Sequence, residues 1–320
     1  MVKEEVLNEK QEIQQKDITH FQNWHPSVLQ SINKEYHILQ DGILGKKDYA
    51  LLFENEEQKH YIPVEAVNQL NLYGEVTLSS NVLNTISEYN IRLGIFDKYA
   101  NLIGYYVPRE YQKDSEVVLK QCSLYLDEEK RLSVARKLEI AGIHNIRANL
   151  RYYNKKMYNK LESFIKNMDN AIEDLKTATS INEMLMIEAR ARQQYYESFN
   201  IIIPSECGFR FVKRTRRPPE DELNAMISFG NTLLYNVFQQ MIWKTSLESR
   251  FGIVHAASRR ETSLNFDFAD LFKPIIVDRI IFTLVKKHQI KTSDFTVVES
   301  GGVYLNRDGK RLFIEAFEQK

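Results

Sequence analysis

Cysteine is almost missing from this chain: Cys122 and Cys207 are the only two in 320 residues, and neither belongs to a CxxC or a His/Cys spacing that suits zinc. A disulfide framework and a thiolate metal site are therefore excluded, and two thiols in a reducing cytoplasm are expected. No apolar run approaches the roughly 18–20 residues of a membrane helix, so no membrane partner is expected. The charged, glutamine-rich stretch 1–16 lacks the apolar centre of a signal peptide. Glycine is scarce, at 12 residues, and the loops that depend on it are missing. There is no GxGxxG, no GxxxxGK[ST], no HExxH and no GxSxG, which disfavours an enzyme acting on small phosphorylated substrates. Net charge is also missing: 43 basic residues balance 43 acidic ones.

The charges are unevenly spread. Residues 1–120 hold 12 Lys/Arg against 18 Asp/Glu, which leaves the remainder with 31 against 25. A neutral chain can still present a local basic surface to phosphates, and the second part is the expected place for it. A solvated charged helix gives the same count.

Two textures follow one another. Tyr36–Gln40, Ala50–Phe53, Tyr61–Val64 and Asn71–Tyr73 are short runs of β-formers, parted by Asp41-Gly42, Gly45-Lys46-Lys47 and Glu54–Glu57 as turn chemistry. A short helix over Asn81–Tyr89 and strands at Ile91–Phe96 and Leu102–Val107 complete a small β-domain. Beyond Pro108, apolar residues recur every three or four positions. That spacing predicts helices over Ser115–Tyr125, Asp127–Tyr153, Asn154–Leu175, Ile181–Phe199, Asp221–Ser246 and Phe266–Lys287. Ser180 and Glu183 stand at capping-box spacing before the fourth of these. A loop is expected at Pro204–Pro219, and a hairpin with a terminal helix over Phe295–Phe317. The expected fold class is α+β: a β-rich domain at 34–108, a larger all-α domain at 109–320, and residues 1–33 as an extension outside both.

Three segments carry candidate chemistry. Glu188 lies mid-helix among apolar residues, with Arg192 at i+4; an ordinary surface ion pair is the competing reading. Asp267 and Asp270, at i and i+3, project from one face of an otherwise apolar stretch, preceded by His255. Two such acids repel unless a cation lies between them or they share a proton; the alternative is that they face water and that His255 is a core or capping residue. Pro274 has no N–H for the Asp270 carbonyl, so the helix should bend there and free that oxygen. Carboxylates with an imidazole would suit Mg²⁺ or Mn²⁺, the nitrogen favouring the latter. Such an ion polarises a phosphate and activates an attacking hydroxyl. The third segment, Arg210–Pro219, places five basic residues within eight positions around an aromatic. That pattern fits a phosphate-tracking element, and equally a solvated loop. Arg259 and Arg260 add charge just after His255.

At these residues the chain resembles a known family, the CRISPR-associated integrase often called Cas-one. The likeness runs in order from Tyr36 to about Phe317. It takes in Ile62-Pro63-Val64, Tyr73–Val76, Pro108-Arg109-Glu110, Glu188–Arg192, Arg217-Pro218-Pro219, Asn224–Gly230, His255, Ser263–Asp270, Phe272-Lys273-Pro274 and Val277-Asp278-Arg279. The resemblance implies that Glu188, His255 and Asp270 bind Mg²⁺ or Mn²⁺, with Asp267 as an accessory catalytic acid. It also implies a homodimer formed through the β-domains and a small partner, Cas-two. The implied reaction is spacer acquisition in antiviral defence: the 3′-hydroxyl of a short protospacer DNA attacks a phosphodiester at the border of a repeat. Arg192, Lys213, Arg216, Arg217 and Arg259 are the expected DNA contacts, and a non-catalytic DNA-binding scaffold is the alternative. Three departures stand out. Ala189 replaces the usual Gly, residues 1–33 precede the family's common start, and many relatives continue in a further helix beyond Phe317.

Overall fold

The structure, a computed structural model, describes residues 28–30, 35–97, 99–108, 113–255, 262–299 and 301–319. Its first part holds two sheets. The five-stranded one runs β1 (Val28–Gln30), β2 (Glu35–Ile38), β6 (Gln69–Leu72), β8 (Arg92–Phe96), β9 (Leu102–Tyr106), parallel at its centre and antiparallel at both edges. The four-stranded one runs β5 (Lys59–Pro63), β4 (Ala50–Glu54), β3 (Gly42–Lys47), β7 (Val76–Leu78). Helix α1 (Ser80–Glu88), capped by Ser79, lies with them. Tyr36, Ile38, Leu70, Leu72 and Leu93 of the first sheet share one core with Leu44, Leu51, Phe53 and Ile62 of the second. Edge strand β1 falls within the expected extension 1–33; the rest of that extension, up to 27 and at 31–33, lies outside the described residues.

Gly45-Lys46-Lys47, expected as a turn, is strand β3, and the reversal is at Asp48-Tyr49, where Asp48 takes φ 53°. Asp tolerates that left-handed region. Val76 begins β7, which runs parallel to β3.

The helical part comprises α2 (Ser115–Leu126), α3 (Glu128–Asn154), α4 (Glu162–Thr177), α5 (Ile181–Glu197), the short α6 (Phe199–Ile202), α7 (Glu222–Trp243), α8 (Leu264–Phe272), α9 (Val277–Lys286) and α10 (Arg307–Glu318). Strands β10 (Phe295–Val297) and β11 (Val303–Leu305) form the hairpin before α10. The helix expected from Asn154 starts instead at Glu162. Asn154 accepts the Leu161 N–H at 2.9 Å and donates to Glu162 at 2.8 Å, so its side chain closes a turn that competes with helix. Among the described residues, no helix is long and apolar enough to cross a membrane.

Helix α7 is buried on nearly every side and forms the axis of this part. At Gly230 an added Cβ would lie 2.6 Å from Val277 Cγ1 and 2.8 Å from the Phe313 ring, so α9 and α10 close on α7 where no side chain intervenes. Gly230→Val is expected to destabilise the chain by about 1–3 kcal/mol through overpacking. Urea denaturation reads this as a lowered midpoint; an unchanged one would show that the helices part freely.

The strands β2, Glu-Tyr-His-Ile, and β6, Gln-Leu-Asn-Leu, alternate polar and apolar, a pattern that normally leaves the polar face wet. Here both strands are buried throughout. The helical part covers the sheet: Arg92 Nη1 donates to the Gln240 carbonyl at 3.0 Å, and Tyr105 meets Asn236 and the edge of Trp243.

Candidate active site

His255 is held by Asp267. The Asp267 side chain is wholly buried beneath the segment 252–255, and its Oδ1 accepts from His255 N at 3.0 Å and His255 Nδ1 at 2.7 Å. Its Oδ2 accepts from Val254 N at 3.1 Å and from Ile253 N. Gly252 makes the close approach possible: a Cβ there would lie 2.6 Å from the His255 carbonyl and 3.0 Å from Asp267 Oδ2. Ser263 ties the loop to the start of α8, accepting from Gly252 N at 2.9 Å and donating to the Arg250 carbonyl at 2.9 Å. The Asp267 hydrogen bond raises the His255 pKa against the effect of burial. It also leaves Nε2 as the nitrogen open to a ligand.

One turn on, Asp270 faces a cleft of about 670 Å³ that Glu188 and His255 also line. Glu188 comes from α5. There Met184, Ile187, Ala191 and Tyr195 fill the core, and Glu188 and Arg192 are left on the flank beside them. Ser180 caps the helix as expected, accepting from Glu183 N at 3.2 Å, while the Glu183 carboxylate reaches Thr179 N at 2.7 Å, one residue before the box partner. The i,i+4 pair of Glu188 and Arg192 forms, but with both side chains largely buried at 16 and 15% exposure, so it is not a surface pair.

Arg192 also lies 3.7 Å from Asp270 Oδ2 and donates to the Asp270 carbonyl at 3.3 Å. This is the oxygen that Pro274 was expected to free, and the helix breaks there between α8 and α9. Lys273, buried against Tyr235, pairs with the other Asp270 oxygen. Burial would raise the Asp270 pKa, but Lys273 and Arg192 hold it at about 2. Two cationic side chains thus stand where the acids call for positive charge. Among the described residues, the candidate ligand atoms of Glu188, His255 and Asp270 do not all come within 4.8 Å of one another.

Lys213, Arg216 and Arg217 are exposed and line the same cleft. Their neighbours in the loop are structural. Arg214 donates to Asn224 Oδ1 at 2.9 Å and Ser228 Oγ at 3.0 Å. Phe211, the aromatic within the basic run, is buried against Tyr196 at 5.5 Å between ring centres, because the core claims its apolar ring. Arg192, expected as a DNA contact, has its guanidinium turned to two carboxylates. Arg259 and Arg260 lie outside the described residues.

Residues 36–319 match the family model of CRISPR associated protein Cas1. The chain belongs to the Cas1 family. A CRISPR-associated endonuclease Cas1 of Thermodesulfovibrio yellowstonii is 36% identical over 90% of this chain and 87% of its own. One of Clostridium perfringens is 35% identical over 90% and 87%. The solved structure of a Cas1 protein from Thermotoga maritima superposes with a TM-score of 0.80 at 35% identity, covering 88% of each chain. A casposase bound to an integration product shares the fold, with a TM-score of 0.78 at 20% identity over 89% of this chain and 82% of that one. The β-rich first part and larger helical part agree with the expected α+β class.

In this Cas1 chain two groups beside the cleft escaped the sequence reading. Lys273 stands at i+3 from Asp270, a spacing that marks it in retrospect as a charge partner. Glu139 of α3 is half-buried, and burial lifts its carboxyl to about 7, with Arg192 and His255 opposing and Asp270 and Asp267 adding to the rise. Its only sequence signal is a carboxylate between Leu138 and Ile140, which many amphipathic helices share.

Proposed function

We propose that this Cas1 chain is a divalent-metal-dependent DNA integrase and endonuclease of CRISPR spacer acquisition, acting through Glu188, His255 and Asp270. The observation that carries the reading is the cleft itself. Two acids and an imidazole from separate segments line it beneath a rim of Lys213, Arg216 and Arg217. The names of the curated relatives, endonucleases at about 35% identity over nine-tenths of the chain, point the same way.

The donor set fits Mg²⁺ or Mn²⁺ once Arg192 releases Glu188 and Asp270. When bound, the ion polarises the scissile phosphate and lowers the pKa of the attacking hydroxyl. The residues do the rest. Asp267 fixes the His255 tautomer and presents Nε2, and the basic rim holds the phosphates. Lys273 keeps Asp270 ionised, and Arg192 balances the carboxylates before loading. In joining, the 3′-hydroxyl of a protospacer loses its proton and its oxygen forms a bond to phosphorus at the repeat border, while the bond to the leaving 3′-oxygen breaks and that oxygen takes up a proton. The same site would run backwards or, with water, cut branched DNA. A homodimer through the β-domains, a Cas2 partner and a cytoplasmic setting complete the proposal.

Purified chain with Mn²⁺ is expected to join a short duplex with free 3′-ends into plasmid DNA, and to stop when the metal is chelated. One observation favours a second reading, a non-catalytic DNA-binding scaffold: Arg192 and Lys273 already neutralise the acids. DNA binding without Mn²⁺ uptake or turnover would select it.

Neutralising Lys213, Arg216 and Arg217 together is expected to weaken binding to all DNA sequences alike. The slope of log K against log salt should flatten by roughly 0.9 for each phosphate that the rim no longer neutralises. An unchanged slope, read by fluorescence anisotropy across a salt series, would show that the rim faces away from DNA.

A further inference from the structure

Outside the residues that line the cleft, at the junction of the two parts, lies the one group among the described residues whose potential ligand atoms converge. Glu35 and His37 of β2 and Glu318 of α10 bring two carboxylates and an imidazole within 4.8 Å of one another. Glu35 and His37 alternate along one strand and so share a face, the polar face that the helical part covers. All three are withdrawn from solvent: Glu35 is 9% exposed, His37 2%, and the Glu318 side chain 12%.

The decisive observation is His37 Nε2, a buried nitrogen without a hydrogen-bond partner. It is aimed at Glu318 Oε1, 3.6 Å away. That separation is too long for a hydrogen bond, yet close to the edge of a tetrahedron around a zinc ion, about 3.3 Å for bonds of about 2.0–2.1 Å. The other ring nitrogen, Nδ1, meets the Tyr73 hydroxyl at 3.4 Å, and the two rings stack at 5.9 Å. With its proton on Nδ1 toward that oxygen, the imidazole presents a lone pair at Nε2, the arrangement usual for a ligating histidine. A further orphan lies on the same face: Gln69, wholly buried, stands in register with Glu35 on the neighbouring strand, and its Oε1 has no partner.

Two buried carboxylates beside an imidazole repel and lose hydration unless positive charge enters. Burial holds the Glu35 carboxyl above its ordinary range and Glu318 adds to the rise, while His37, a hydrogen bond with Gln240 and the charge of Lys244 oppose it only in part. We propose that Glu35, His37 and Glu318 form a second metal site, taking Zn²⁺ or a similar borderline cation. The ion pins the C-terminal helix α10 to the central sheet and so fixes the helical part against the β-domain. Imidazole with carboxylate oxygen is a donor set that zinc accepts. This inference stands apart from the DNA chemistry proposed for the cleft.

The test uses the full chain, stripped of metal, with His255→Ala removing the candidate ligand in the cleft. Zn²⁺ alone is titrated against a chromophoric chelator, and the thermal midpoint is followed with and without it. We expect one Zn²⁺ per chain to remain bound and to raise the midpoint. X-ray absorption should show one imidazole nitrogen with oxygen donors. Adding Glu318→Gln, close in volume and in the last turn of α10, should abolish both the binding and the rise, with circular dichroism confirming an intact fold. Adding His37→Ala should do the same. No Zn²⁺ retained by His255→Ala, or retention undiminished by Glu318→Gln, would overturn the site and leave a His–Glu ion pair only.

Discussion

His255→Ala and Glu188→Ala are each expected to slow metal-dependent joining or cutting of DNA by on the order of 10³-fold or more, about 4 kcal/mol of barrier. Either change removes one of three donors, and the two that remain would hold a hydrated ion too weakly to displace Arg192. Folding should survive. In His255→Ala the Asp267 carboxylate keeps the N–H groups of Ile253, Val254 and residue 255, and in Glu188→Ala the residues that fill the core from α5 are untouched. DNA binding should also persist, because the basic rim is unchanged. Single-turnover assays in Mn²⁺, alongside thermal unfolding, separate loss of chemistry from loss of fold. Full activity in both variants would remove these residues from the mechanism.

Asp267→Ala is expected to damage fold and activity together. One buried carboxylate accepts three backbone N–H groups and the His255 ring nitrogen. Each N–H left without a partner costs about 1–3 kcal/mol, so a loss of roughly 3–5 kcal/mol is expected after partial relaxation of the loop. Asp267→Asn keeps one acceptor oxygen and should fall between, with His255 misoriented and activity reduced while much of the stability returns. The pH dependence separates the ionic part from the backbone part. The bond to Asp267 raises the His255 pKa above its ordinary 6.5, so the charged pair stabilises the fold fully below that value. Its contribution is lost as pH rises through the raised value, whereas the backbone bonds do not titrate. The penalty of Asp267→Ala should therefore shrink toward alkaline pH without vanishing. A penalty under about 1 kcal/mol at every pH would mean that the loop is held by Ser263 and Gly252 instead.

The two-part organisation was legible because period-2 and period-3.6 patterns part cleanly near Pro108. Boundaries failed where a side chain competes with the regular pattern. Asn154 ends α3 by capturing the Leu161 N–H, and Asp48 moves the hairpin reversal beyond the lysines that looked like a turn. Which face of β2 and β6 is covered was not legible: Glu35, His37, Gln69 and Asn71 face the helical part instead of water, and no local pattern tells a polar face that meets solvent from one that meets another domain. At the site, the i,i+3 spacing of Asp267 and Asp270 put both acids on one helix face, and the missing N–H of Pro274 foretold a carbonyl without a helical partner. What spacing along the chain cannot express is the partner from another segment. Arg192 on the Asp270 carbonyl, Lys273 packed on Tyr235 and Glu139 from α3 all depend on how the helices stack.

If Glu188, His255 and Asp270 hold one divalent ion in a cleft built for phosphodiester chemistry, the ion should be visible in place. A crystal of the protein soaked in Mn²⁺, with anomalous scattering recorded at the manganese edge, reads this directly. A peak is expected between the Glu188 and Asp270 carboxylates and His255 Nε2, with the Arg192 guanidinium moved away from Glu188. An empty cleft with Arg192 still paired to both acids, in a protein that cuts DNA when Mn²⁺ is supplied, would contradict the assignment.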